Sequence, residues 1–373
     1  MHVGYITGFQ NPGNTRPDHV VWEEENRLVD IAVDLGFESI WCVEHHFADY
    51  FLSPDPVQFL TWTGARHPGI RLGTAVIVLP WHDPLRCAEQ IVLLDNLSGG
   101  RMVLGIGRGL GKLEYDGWRA DMETSRETFV AYAQMILDGL ETGFIEADNE
   151  FVQQPRVELR PRPKFSFKGR VYAAAMSPDA MPIMARLGVG LMIIPQKPWD
   201  TVRDDLDTYE STWREVHGDT VPWPAPICAG SVIVHEDADT AEELAHRYIG
   251  GYYHACMAHY GFTKNAHAGI KGYEFYANVG KHVERVGADG AATDFVNLMP
   301  WGTPDQVLTK LETLRELLGM SVFNGGLNFV DMPPEVAEAN TRLFAAEVLP
   351  VLKQWESDAL APVMPRDAVL VPA

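Results

Sequence analysis

Two adjacent histidines, His45 and His46, follow a short apolar run in the stretch WCVEHHFADY, residues 41–50. Imidazole titrates near neutral pH, so a histidine at the end of a buried strand can donate or accept a proton. Successive residues of an extended chain point to opposite faces, which leaves one of the pair free to face a shared cleft, and His45 is taken as that one. Beside this stands a plainer reading, in which both histidines make structural hydrogen bonds in a loop. No metal site is expected, because no His-x-His opens the first strand and no HExxH occurs anywhere.

A second set of residues suits an anion. In LGIGRGLG, residues 104–111, the glycines fall at 105, 107, 109 and 111. The dinucleotide fingerprint G-x-G-x-x-G therefore fails at Leu110, and no helix follows at once. What remains is a bare strand tip, Gly107, where a flat ligand can approach the backbone, followed by Arg108, whose guanidinium can hold a phosphate or pair with a nearby acid. Further on, the small-residue run 173–175 leads to Ser177 as an expected N-cap, with Pro178 at the first helical position. A helix N-terminus at a strand end attracts anions, although Pro178 brings no N–H and Asp179 adds negative charge there. Together with Arg108 this describes a phosphate clamp built from neighbouring loops.

Such residues need a scaffold that brings strand ends together. Short β-branched runs at 3–9, 39–43, 71–78, 102–107, 170–175, 190–194, 227–234 and 321–329 alternate with segments of helical period. Helices are read at 20–35, 57–66, 85–97, 125–141, 178–187, 199–216, 238–259, 304–318 and 334–355. Eight β-then-α units predict an α/β fold, a TIM-like (β/α)8 barrel, with the chemistry at the mouth formed by the strands' C-terminal ends. A barrel of this kind takes about 250 residues. The surplus is placed in insertions near 110–168 and 260–300, read as irregular apart from the proline-punctuated hairpin in the first. One domain is expected over 1–360, with a tail at 361–373.

Composition removes other classes. Thirty basic and fifty-one acidic residues give 30 − 51 = −21, which disfavours nucleic acid and anionic membrane surfaces. Four separated cysteines form no Cys-x-x-Cys pair, which suits a reducing compartment. Neither a signal peptide nor an apolar stretch of spanning length is present, so a cytoplasmic protein is expected.

The blocks GFESIWCVEHHF, IRLGTAVIVLPWHDPLRCAEQIVLLDNLSGGRMVLGIGRGL, DMETSRE, GRVYAAAMSPDA, KGYEF and GTPDQV resemble the bacterial luciferase-like flavin monooxygenases over nearly the whole chain, with the luciferase α subunit as the comparison. The resemblance implies reduced FMN at the barrel mouth and a phosphate held by Arg108, Ser177 and Arg126. It further implies flavin contacts from Gly107, Ala175 and Met176, and a strand-three bulge at Ala75 and Val76 behind the isoalloxazine ring. His45 matches the histidine that the family places near the flavin and the oxygenated substrate. Also implied are O2, a small hydrophobic substrate (aldehyde, ketone or terpenoid-like), a separate flavin reductase and a homodimer. A mouth lined by Phe9, Trp41, Trp81 and Ile106 is expected to exclude water.

Two departures stand out. Met176 replaces a glutamate of the luciferase α subunit and Ala180 a threonine, which implies weaker phosphate contacts. The luciferase mobile loop falls in 260–300, where the sequences diverge most, so neither substrate nor light emission carries over. A deazaflavin-dependent oxidoreductase on the same barrel, or a non-catalytic flavin-binding protein, stand as alternatives.

Overall fold

Eight parallel strands close into a barrel in a computed structural model that describes residues 1–194, 196–264, 266–357 and 360–365. They are β1 (His2–Ile6), β2 (Ser39–Cys42), β3 (Arg71–Thr74, resuming at Ile77–Val78), β4 (Met102–Gly107), β5 (Val171–Ala174), β6 (Gly190–Ile193), β7 (Ile227–Ser231) and β8 (Val322–Gly326). β1 pairs with β2 on one side, Gly4 opposite Ser39, and with β8 on the other, His2 opposite Val322, so the sheet has no free edge between first and last strands. Strands covered on both faces need apolar residues at nearly every position, and β2 and β4 are buried throughout. That continuity is what makes each of the eight visible in the sequence.

The outer layer comprises α1 (Asp18–Asp34), α2 (Pro56–Arg66), α3 (Pro84–Ser98), α4 (Ser125–Thr142), α5 (Ala180–Leu187), α6 (Trp199–His217), α7 (Pro304–Leu318) and α8 (Pro334–Leu343). Local chemistry sets their limits. Asp55 and Asp83 accept hydrogen bonds from Gln58 N and Arg86 N, each with a proline at the first helical position, and Gly99 ends α3 in the left-handed conformation at φ 72°. Thr303 and Gln306 close a capping box on α7. α3 lays Ala88, Ile91, Val92 and Leu94 against the sheet, which fixes how the β3 and β4 ends present their loops.

Inside the barrel, the lower layer is filled by Trp41, Val103, Tyr172, Met192, Ile227, Val322 and Leu360. Leu360 belongs to the segment after α8, and Ala361 and Met364 continue along the barrel base: Arg71 donates to Ala361 O at 3.1 Å, and Met364 O accepts from Ser166 N at 3.0 Å. The first part of the expected tail is thus packed structure, while 366–373 lie outside the described residues. The insertions contain more helix than the sequence suggested. The first holds Lys112–Trp118 and an antiparallel hairpin, Phe144–Asp148 with Gln153–Glu158; the second holds Glu274–Val286 and Ala288–Leu298. No helix of the described residues is long and apolar enough to cross a membrane.

Candidate active site

A cavity of about 250 Å3 opens at the C-terminal ends of the strands. His45, Ala75, Val76, Gly107, Arg108, Arg126, Ala175, Met176 and Ser177 all line it. Ala75 and Val76 are the two residues that interrupt β3, and the peptide bond between them is cis. Gly107 faces them across a tight gap, since a Cβ there would sit 2.5 Å from Val76 Cγ2. Glycine at the tip of β4 therefore brings bare backbone to the cavity wall, as the spacing predicted.

At the cationic end, Arg108 and Arg126 converge on one backbone oxygen. Arg108 Nη1 donates to Gly272 O at 2.9 Å and Arg126 Nη2 to the same oxygen at 3.1 Å. The Arg108 guanidinium lies 3.8 Å from the Tyr273 ring centroid. Arg108 forms no ion pair among the described residues, and Arg126 meets Asp179 only at 3.7 Å. Two guanidinium groups sharing one neutral acceptor keep donors in reserve for an anion, so the residues present fit a phosphate. Ser177 is buried and lines the same cavity, but its expected capping role is not seen. A turn closed by Ala180 N to Ser177 O precedes the helix, which starts at Ala180 with Asp179 as N-cap.

Elsewhere on the wall, β2 ends at Cys42 and the chain turns, sending the two histidines apart. His46 Nε2 bonds to Glu44 Oε1 at 3.0 Å; the same carboxylate takes His82 Nε2 at 2.7 Å and Val78 N at 2.8 Å. Burial alone would push the Glu44 acid up, and these bonds outweigh it, holding the carboxyl below its ordinary range. His45 instead lines the cavity, its Nδ1 2.9 Å from Glu114 Oε1 and its ring stacked 5.4 Å from Phe51. Glu114 also accepts His46 N–H at 2.8 Å and meets His259 Nε2 at 3.2 Å.

Glu114 and His259 were not legible as site residues. Glu114 sits in the first turn of a seven-residue helix, too short to show a period, and His259 is one of several histidines on a long helical segment. With His45 they place ligand atoms within 4.8 Å of one another, a spacing that a metal could use and that the histidine patterns gave no sign of. Each contact in the group is also a hydrogen bond that closes without an ion. Three of the four expected aromatic and aliphatic mouth residues lie elsewhere. Trp41 fills the lower barrel interior, Phe9 stacks on Trp22 at 4.0 Å, and Ile106 packs in the outer core, which leaves Trp81 on the cavity. The apolar wall is completed by Phe51, Tyr252, Tyr260, Phe295 and Phe329.

A closed (β/α)8 barrel whose strand ends gather two cations and a braced imidazole around an apolar cavity has the layout of an enzyme. The sequence profile of the luciferase-like monooxygenases matches residues 1–321, and the chain belongs to that family of oxidoreductases. It is 24% identical over 353 residues to the alkanal monooxygenase alpha chain of Photorhabdus luminescens, covering 94% of this chain and 96% of that one. Two solved structures share the fold. The oxygenating constituent of 3,6-diketocamphane monooxygenase from Pseudomonas putida, in complex with FMN, superimposes with a TM-score of 0.71 at 16% identity, covering 97% of this chain and 100% of that one. The coenzyme F420 dependent tetrahydromethanopterin reductase of Methanopyrus kandleri gives 0.63 at 19% identity, covering 94% and 99%.

Proposed function

We propose that this chain is the oxygenase component of a two-component monooxygenase, receiving reduced FMN from a separate flavin reductase and using O2 to oxygenate a small hydrophobic substrate. The observation that carries this reading is the convergence of Arg108 and Arg126 at one end of an apolar cavity that has His45 on its wall. Bound reduced FMN supplies the electron pair that activates O2. The two guanidinium groups and the Ser177 hydroxyl hold the phosphate. Gly107 and the interruption at Ala75 and Val76 give a flat ring access to backbone. Trp81, Phe51, Phe295 and Phe329 exclude water from the reacting centre. His45 donates or accepts the proton that the oxygenated substrate exchanges.

Aerobic incubation with reduced FMN and a panel of aldehydes and cyclic ketones tests the reading. The expected product is heavier than its substrate by one oxygen atom, and absence of any such product across the panel counts against it. A second reading, hydride transfer from a deazaflavin, draws on the likeness to the Methanopyrus kandleri reductase. Titration of the protein with each cofactor separates the two. We further propose a homodimer joined through α2 and α3, where Trp62 and Leu97 stand 46% and 66% exposed.

A further inference from the structure

The Glu114 carboxylate collects three donors from two distant parts of the chain. Oε1 takes His45 Nδ1 at 2.9 Å and the His46 backbone N–H at 2.8 Å, and Oε2 takes His259 Nε2 at 3.2 Å. Its side chain is 1% exposed, that of His259 2% and that of His45 12%. Room for this comes from Gly111, where a Cβ would lie 2.1 Å from Glu114 Oε2. Burial would push the Glu114 acid up, but the two imidazoles dominate and lower it to about 2, so it is ionised in the working range. An ionised carboxylate only accepts, so both rings must present an N–H to it. The neutral His45 ring is thereby fixed as the Nδ1–H tautomer, the form whose Nε2 carries the lone pair. No described group bonds to that Nε2, and the His45 ring lines the cavity.

We propose that Glu114 is a positioning residue for His45, holding its Nε2 as the proton acceptor at the cavity wall, with His259 as a second brace that fixes the carboxylate between the two rings. This rests on the oxygenase reading above. A proton leaving the substrate bonds to His45 Nε2; Nδ1–H stays in place, and the resulting imidazolium lies against the Glu114 charge until the proton returns from Nε2. His259 does not cancel that charge. Burial lowers its pKa by more than the Glu114 bond raises it, leaving the ring neutral near pH 7. The other titratable groups facing the pair are His46, Asp49 and Tyr50 on the His45 loop and Tyr260 beyond His259.

Glu114→Gln gives a distinctive readout. The His46 backbone N–H can only donate, so the amide oxygen stays with it and with His45, and the amide NH2 turns to His259. His259 Nε2 must then accept, which moves its proton to Nδ1, an atom buried without a partner. Nitrogen-15 NMR of histidine-labelled full-length protein without flavin, assigned with His45→Gln and His259→Gln, should show His45 as Nδ1–H and His259 as Nε2–H. In Glu114→Gln, His45 keeps its tautomer and His259 reverses. With substrate and reduced FMN, the variant loses about tenfold to a hundredfold in kcat with little change in KM, and Glu114→Asp recovers part of the loss. His45 found as Nε2–H in the unsubstituted protein overturns the proposal, as does a Glu114→Gln enzyme of undiminished kcat. An unsubstituted enzyme that oxygenates nothing, with both tautomers as expected, fails the oxygenase reading and leaves the positioning of His45 standing.

Discussion

Arg108 and Gly272 lie 164 residues apart, yet the Arg108 Nη1 donates to the Gly272 carbonyl oxygen at 2.9 Å. The contact joins the tip of β4 to the second insertion, with Tyr273 under the guanidinium and Arg126 on the same oxygen. A phosphate held at this end, as proposed, would share these two guanidinium groups with the Gly272 carbonyl, which would couple cofactor binding to the position of 271–273.

Arg108→Ala should therefore weaken binding of reduced FMN by roughly 10- to 100-fold, the worth of one or two charge-assisted hydrogen bonds. Reduced riboflavin, which lacks the phosphate, should bind both proteins alike in an anaerobic titration. Equal losses for the two ligands would place the phosphate elsewhere.

His45→Ala should lower oxygenation by about 10²- to 10⁴-fold, the usual contribution of a positioned acid or base, while the affinity for reduced FMN stays nearly constant. Product formation at the unsubstituted rate removes His45 from the chemistry.

Acid stability offers a test that needs no substrate. The Glu114 carboxyl is lowered in the folded protein, to about 2 from 4.5, so the unfolded chain binds more protons between those values. Its contribution is complete above pH 4.5 and is lost as pH falls toward 2. That loss amounts to about 3 kcal/mol. Urea denaturation of the unsubstituted protein and Glu114→Gln at a series of pH values should show the stability difference shrinking across that window; a constant difference refutes the assignment.

Gly73 lies against Trp41 in the lower barrel, where a Cβ would come 2.1 Å from Trp41 Cε3. Trp41 is fully buried and cannot swing away, so Gly73→Ala should cost about 1–3 kcal/mol or more, as overpacked cores do. Adding Trp41→Leu should return part of it, because residues in contact do not act additively. Thermal melts of the single and double variants measure the coupling.

Leu97→Glu on α3 should convert the proposed dimer to monomer, read by light scattering after size exclusion. An unsubstituted protein that is already monomeric rules out the α2–α3 interface.

The eight strands and their order could be read from the sequence because a strand buried on both faces must be apolar throughout. Arg108, the bare Gly107 and the inward turn of His45 follow from spacing near strand ends, whereas Arg126 was reached only through the family resemblance. Depth inside the barrel does not: Trp41 points inward like a mouth residue, but it packs with Val103, Tyr172 and Val322 in the lower layer, contacts that no local pattern announces. Glu114 escaped notice because a carboxylate's role is set by what it meets, and its partners stand 69 and 145 residues away. Helices 274–286 and 288–298 were hidden by the glycines and prolines around them.

The seam between β1 and β8 bears on how the chain is made. His2 opposes Val322, so 322 − 2 = 320 residues must follow the first strand out of the ribosome before its partner exists. Throughout that interval one edge of Val3, Gly4 and Tyr5 has no native strand to pair with, a condition that invites mispairing between nascent chains. Slow, chaperone-assisted maturation and low yields on rapid overexpression are the expected signature of that late closure.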